Sequence, residues 1–223
     1  VVADGTPEEL KARSARAGHL DTDELAPRLE ELLLHARRLD ALVSDLLDTS
    51  RIQQGRIMLE PGRVLLNHLA LDVIDRFRRV EDPPRHQLEL RATGDVIGVW
   101  DEARLDQVLT NLVSNALKYS PDGGAVTIEL AVREERALIC VHDEGLGIAE
   151  ERIPDLFQPF SRVHSDSRVV NGTGLGLYIA AQLVARHGGN IGVHSQLGVG
   201  TTFTVSLPLE ASIEHAQPAS AWR

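Results

Sequence analysis

The sequence predicts an α+β domain preceded by one long, bundle-forming helix, and three observations carry that expectation. Leu25, Leu29, Leu32, Ala36, Leu39, Val43, Leu46 and Ser50 alternate spacings of four and three, the heptad seam of a helix that packs on other helices. After Gly55 that period stops, and short alternating runs take turns with amphipathic ones. From Gly145 to Gly200 glycines recur at the joints between those runs, where a chain turns tightly or admits a ligand to its backbone. With 223 residues, 43% of them hydrophobic, the chain has ample apolar material for a packed core.

Each element follows from local chemistry. Residues 1–21 are rich in Gly, Ala and charge, with a short helix expected after Thr6-Pro7-Glu8-Glu9. Asp21 or Thr22 can cap the long helix, Pro27 falls near its first turn and Gly55 ends it. Leu33, Leu42 and Leu47 widen its apolar stripe, as in a multi-helix bundle. One such helix cannot bury itself, so a partner helix is expected from a second copy or from a preceding segment. Residues 56–60 read as a short strand, 64–79 as an amphipathic helix and 81–84 as a loop. Residues 86–91 and 96–100 alternate like strands, and Asp101 is placed to cap the next helix. Pro121-Asp122-Gly123-Gly124 turns the chain into a strand pair, 126–132 and 137–142. A helix over 175–187 and strands over 190–195 and 201–207 complete the pattern, and 210–223 read as a tail.

Charge and composition exclude several classes. A net charge of -10 and a pI near 5.3 argue against a general nucleic-acid binder or a binder of anionic membranes, since both need a basic footprint. The single cysteine, Cys140 in A-L-I-C-V, cannot form an internal disulfide and is expected as a buried strand residue of an intracellular protein. No apolar run approaches the roughly 18 to 20 residues that span a bilayer, and the N-terminus lacks the layout of a secretion signal. The expected location is the cytoplasm, either free or as the cytoplasmic part of a membrane-anchored protein.

The chemistry gathers around N-L-V-S-N-A-L-K-Y-S, residues 111–120. On a helix, Gln107, Asn111, Asn115 and Lys118 form one polar stripe beside an apolar one of Leu105, Leu109, Leu112 and Ala116. An asparagine oxygen can ligate Mg²⁺, and a lysine adds a point charge for phosphate. On its own, such a stripe equally describes a solvated helix face. In H-D-E-G-L-G-I, Asp143 ends an apolar strand, where a carboxylate can accept from an exocyclic amine such as that of adenine. In G-T-G-L-G-L, from Gly172, glycines open a helix and expose N–H groups that suit phosphate. A dinucleotide fold is disfavoured, because no compact parallel strand feeds that helix and no acid follows at the right distance. A phosphate loop with a lysine after its last glycine is also missing.

Taken together and in this order, these segments resemble the ATP-binding domain of sensor histidine kinases, of the Bergerat fold shared with gyrase B and MutL. N-L-V-S-N-A-L-K-Y looks like that family's N box, D-E-G-L-G-I its first glycine box, L-F-Q-P-F its F box and G-T-G-L-G-L its second glycine box. G-V-G-T-T-F, from Gly198 to Phe203, is similar to the closing glycine motif, and the resemblance covers roughly residues 57–209. D-L-L-D-T-S-R-I-Q-Q-G-R-I looks like the end of the second helix of the family's dimerisation and phosphoacceptor hairpin. The resemblance implies a two-layer α/β sandwich, a mixed sheet with helices on one face. It divides the chain into a partial dimerisation and phosphotransfer region (1–55) lacking its first helix, an ATP-binding catalytic domain (56–209) and a tail (210–223).

Residue by residue, the resemblance implies that Asn115 ligates Mg²⁺, with Asn111 and Lys118 near the phosphates of ATP. Asp143 would read the adenine amine, with Gly145, Gly147, Ile148 and Thr201 around the base and Tyr119 packed beside the nucleotide. Gly172, Thr173, Gly174, Leu175 and Gly176 would line the triphosphate. Residues 161–171 would form a mobile lid, with Arg162 contacting phosphate, and Asn111, Lys118 and Arg162 would serve the chemistry. In related ATPases the N box opens with a glutamate that activates water, whereas Asn111 is no base at neutral pH, so transfer is expected over hydrolysis. The implied reaction carries the γ-phosphoryl group to a histidine on a helical hairpin, then to an aspartate of a response regulator. The implied assembly is a homodimer through residues 22–55.

The sequence departs from the family in one respect. The acceptor histidine should begin a motif H-E/D-x-R-x-P, and none here does. His19 precedes Leu20-Asp21, His35 lies within L-L-H-A-R-R as a surface or bundle-edge residue, His142 belongs to the adenine-side strand and His164 to the lid. The acceptor is therefore expected on an upstream segment or a separate chain. Two rival readings share the fold: a serine kinase of the anti-sigma-factor type, against which the long heptad helix counts, and a non-catalytic ATP-binding or dimerisation module.

Overall fold

A computed structural model describes residues 22–79, 85–161 and 173–210. The chain forms two compact units, Val1–Ser44 and Asp45–Arg223. In the first, the described part of helix α1 (Thr22–Gln53) leaves the seam residues Leu32, Leu39 and Val43 exposed, and His35 is exposed as expected. The short N-terminal helix expected after Thr6 lies outside the described residues.

In the second unit, the last turns of α1 bury Asp48, Thr49 and Ile52. The helix then closes in a Schellman turn: Gly55, at φ 67°, donates to the Ile52 carbonyl (3.0 Å) and Arg56 to that of Arg51 (2.9 Å). Residues 56–60 are not the expected strand. They alternate as a strand does, Ile57 buried and Met58 exposed, but their backbone is held by side chains. The Ile57 carbonyl accepts from Arg186 (3.0 Å), and the Glu60 N–H donates to Asp101 (2.9 Å). The strand comes after Pro61: β1 (Gly62–Leu65) pairs antiparallel with β3 (Ile97–Trp100), so α2 (Leu66–Arg78) starts two residues later than its apolar pattern suggests.

The main sheet has the order β2-β4-β5-β7-β6, with β2 (His86–Ala92) parallel to β4 (Gly124–Arg133). The other strands, β5 (Arg136–Asp143), β6 (Asn190–Gln196) and β7 (Gly200–Pro208), pair antiparallel. One face carries Ile128, Leu130, Ile139, Val141, Phe203 and Val205, all buried. The apolar sides of α2, of α3 (Glu102–Lys118) and of α4 (Gly176–Arg186) complete that core, giving the α+β arrangement expected. Glu129, His142 and His194 on the other face are exposed. Cys140 sits in β5 as expected but is only half-buried, because Ile139 and Val141 take the core side and the two-residue period turns it outward toward Thr204. The β4–β5 connection has Glu134 and Glu135 at φ 49° and 60° between paired Arg133 and Arg136. That is a hairpin turn in which both central residues are left-handed, a geometry that Asn-Gly adopts more readily.

Candidate active site

The site is built where α3, two glycine turns and the ends of β5 and β7 meet. Asp101 caps α3 by accepting from the Arg104 N–H (3.1 Å), as its position before the helix suggests. Its own N–H donates to Nε2 of the buried His187 (3.1 Å), whose Nδ1 donates to the Leu183 carbonyl (2.7 Å). Those two bonds fix the neutral tautomer, and burial lowers the pKa of His187 against the smaller opposing pulls of Leu183 and Asp101. The start of α3 is thereby locked to the end of α4.

Along α3, Asn111 Nδ2 donates to the Gly176 carbonyl (3.1 Å), which joins the middle of the asparagine helix to the first residue of α4. A side chain at Gly176 would meet the Asn111 carboxamide at 3.3 Å. Asn115 lies one turn further and is half-buried. At the helix end, Lys118 Nζ stands 5.0 Å from the Tyr119 ring centroid, and the Tyr119 carbonyl accepts from the Leu146 N–H (2.9 Å). That bond brings the first glycine turn against α3. A Cβ at Gly145 would overlap the Tyr119 carbonyl and Ser120 Oγ, and one at Gly147 (φ 65°) the Gln196 carbonyl, so both glycines are required by close approach.

Asp143 ends β5 with 2% of its surface exposed. Burial raises its pKa; backbone hydrogen bonds from Gly145 and Thr201 and the nearby His142 pull it back. The Gly145 N–H donates to Oδ1 at 2.9 Å, and the buried Thr201 is its register partner on β7. Ile148 is buried, and its N–H donates to Ser195 Oγ (2.8 Å). The second glycine turn is anchored by Thr173, whose hydroxyl accepts from the Leu175 N–H and donates to Asp45 (3.1 Å each). Burial raises the pKa of Asp45, the Thr173 bond opposes this and the neighbouring Asp48 adds to it. Gly174, at φ 72°, passes too close to Phe160 and Ser161 for a side chain, and Leu175 is buried. Arg162, His164 and Gly172 lie outside the described residues, as does the expected lid from 162 onward.

Residues 100–211 match the family described as "Histidine kinase-, DNA gyrase B-, and HSP90-like ATPase". The chain belongs to this family. It is similar to the sensor histidine kinase RppB of Synechocystis sp., at 35% identity over 83% of this chain and 41% of that protein, so it spans about two-fifths of that relative's length. Among solved structures, it is similar to the histidine kinase AdeS of Acinetobacter baumannii (TM-score 0.68, 28% identity, 81% of this chain and 83% of that one). It is also similar to full-length ShkA, solved in complex with AMPPNP (TM-score 0.72, 26% identity, 88% of this chain and 41% of that one).

The family's ATP-binding domain is thus present, but sequence reading missed three of its neighbours in the structure. Asp48 accepts from Gln107 (2.6 Å) and lies 3.5 Å from Arg104, while Asp45 reaches Thr173. Their only signal was an acid pair three residues apart, off the leucine seam. Ser195 gave no signal at all. Among the described residues no three His, Cys, Asp or Glu side chains gather as a metal site, and no helix is long and apolar enough to cross a membrane.

Proposed function

We propose that this chain is the ATP-binding catalytic region of a protein-histidine kinase, transferring the γ-phosphoryl group of ATP to a histidine on a helical hairpin and thence to a response-regulator aspartate. The observation that carries this reading is the bond from Asn111 to the Gly176 carbonyl, which sets the carboxamide stripe against the helix start where phosphates would lie. Asp143 stands buried where the first glycine turn meets the C-terminal end of α3, with acceptor capacity for an adenine amine. Gly145, Gly147, Ile148 and Thr201 would enclose the base beside Tyr119. Thr173, Gly174, Leu175 and Gly176, with Gly172, would face the triphosphate alongside Lys118 and Arg162.

The donor set fits a nucleotide-borne Mg²⁺. That ion takes one or two protein oxygens plus phosphate oxygens, and the half-buried Asn115 supplies one carboxamide, with no carboxylate cage among the described residues. Bound there, Mg²⁺ would neutralise phosphate charge. Asn111 cannot take a proton from water at neutral pH, so the chain's own part is to position and to exclude, which favours transfer to an aligned imidazole. The exposed Leu32, Leu39, Leu42, Val43, Leu46 and Leu47 support a homodimer formed through residues 22–55 with that hairpin.

The test is a titration with Mg²⁺-ATP, expected to show dissociation in the micromolar range as an order of magnitude, followed by radiolabel transfer. The chain alone is expected to retain no acid-labile phosphate, and to label a supplied hairpin carrying the H-E/D-x-R-x-P histidine. Absence of Mg²⁺-ATP binding, or stable label on this chain itself, would overturn the proposal.

A further inference from the structure

On the core face of the sheet, β5, β7 and β6 are apolar except for one row at their end. There Asp143, Thr201 and Ser195 are register partners on β5, β7 and β6, while the row behind them is Val141, Phe203 and Val193. Ser195 Oγ lies 2.8 Å from the Ile148 amide nitrogen, 2.9 Å from the Gly200 carbonyl oxygen and 2.9 Å from Thr201 Oγ1. A serine hydroxyl has one proton and two lone pairs. The Gly200 carbonyl can only accept, so it takes the Ser195 proton. The Ile148 N–H can only donate, so it occupies one lone pair. The contact with Thr201 is left with the second lone pair, and the Thr201 hydroxyl must therefore donate to Ser195. Thr201 Oγ1 then keeps only lone pairs, next to an Asp143 carboxylate that is itself acceptor-only when ionised.

We propose that Ser195 is a specificity-determining residue: by drawing the Thr201 proton to itself it leaves two adjacent acceptors, which suit the amine edge of a 6-aminopurine and reject a 6-oxopurine. This rests on the nucleotide-binding reading above, in which Asp143 reads an adenine amine, and adds the residue that turns its neighbour Thr201 into a second acceptor. An oxo group set against two acceptors leaves buried groups unpaired, and such mismatches discriminate more strongly than a change of size.

The experiment titrates Mg²⁺-ATP and Mg²⁺-GTP into the whole chain and into Ser195→Ala by calorimetry. Without Ser195 the Thr201 hydroxyl is free to turn its proton toward the base, so the GTP-to-ATP ratio of dissociation constants is expected to fall about tenfold. In a Thr201→Val background, adding Ser195→Ala is expected to leave that ratio unchanged, since Ser195 acts through Thr201. Equal weakening of both nucleotides in Ser195→Ala would overturn the inference, for Ser195 would then only brace the Gly147 turn through Ile148. A wild-type chain that binds neither nucleotide would remove the ATP-binding reading and this inference together. Should Ser195→Ala not fold, Ser195→Cys, near-isosteric with a weakly bonding thiol, must shift the ratio in the same direction; an unchanged ratio overturns the proposal.

Discussion

Replacing Asp143 with asparagine separates base recognition from folding. The side chain is almost wholly buried, so the near-isosteric change opens no cavity. The carboxylate now holds a backbone bond from Gly145 on Oδ1 and another from Thr201. Asparagine keeps one oxygen and turns the other into an NH₂, so the acceptor capacity for these bonds is halved, a change costing about 1 kcal/mol. Against that stands a gain. Burial raises the pKa of Asp143, so its charged form costs stability at neutral pH: its stabilising contribution is full below the ordinary value of 3.8 and is lost as pH rises through the raised folded value. The two effects oppose, and the unfolding free energy is expected to stay within about 1 kcal/mol of wild type. Nucleotide binding has no such compensation. Losing a hydrogen bond to a charged acceptor costs about 1.5–3 kcal/mol, which is roughly 10- to 150-fold in ATP affinity. Calorimetric titration with thermal melting of the same samples checks both numbers. Wild-type affinity should also decline relative to the variant as acid pH protonates Asp143. An affinity for ATP within threefold of wild type, with the melting temperature kept, would refute the assignment of Asp143 to the base.

Four further outcomes test other parts of the structure. His187 is held neutral with a lowered pKa, so its contribution is fully present above the ordinary value of 6.5 and is lost as pH falls through its folded value. Urea midpoints should therefore drop below pH 6.5, and His187→Gln should flatten that limb. Asp48→Ala removes the Gln107 and Arg104 contacts and should cost about 1–2 kcal/mol, seen as faster amide exchange over residues 48–53. Asn115→Ala should weaken binding of ATP with Mg²⁺ but leave metal-free nucleotide binding close to wild type, a difference that chelator titrations measure. Glu134→Asn with Glu135→Gly relieves two left-handed non-glycine residues and should stabilise by about 1–2 kcal/mol in denaturant unfolding.

Much of the fold was legible because its signals are short-range. The heptad seam, the change of period at Gly55, Asp101 before its helix and the alternation of β4, β5 and β7 each lie within one element, where side-chain spacing directly reports a face. The same locality explains the misreadings. Ile57 and Leu59 alternate as in a strand, and nothing nearby reveals that Arg186 and Asp101 would hold that stretch in place of a neighbouring strand. Cys140 sits in an apolar run, yet a shift of one residue in the pleat separates core from surface.

The amino-acid order alone determined which chemistry is on hand: carboxamides on one helix stripe, a carboxylate at a strand end and glycines at the turns. Only the tertiary structure decided how those groups are oriented. Ser195 lies beside Thr201, and Thr201 beside Asp143, because β7 runs between β5 and β6, an arrangement set by long-range strand pairing. Asp45 and Asp48 meet Thr173 and Gln107 because packing turns their side of the helix inward. Spacing within an element reports which face a residue occupies, but which elements become neighbours depends on how the whole chain buries its apolar surface.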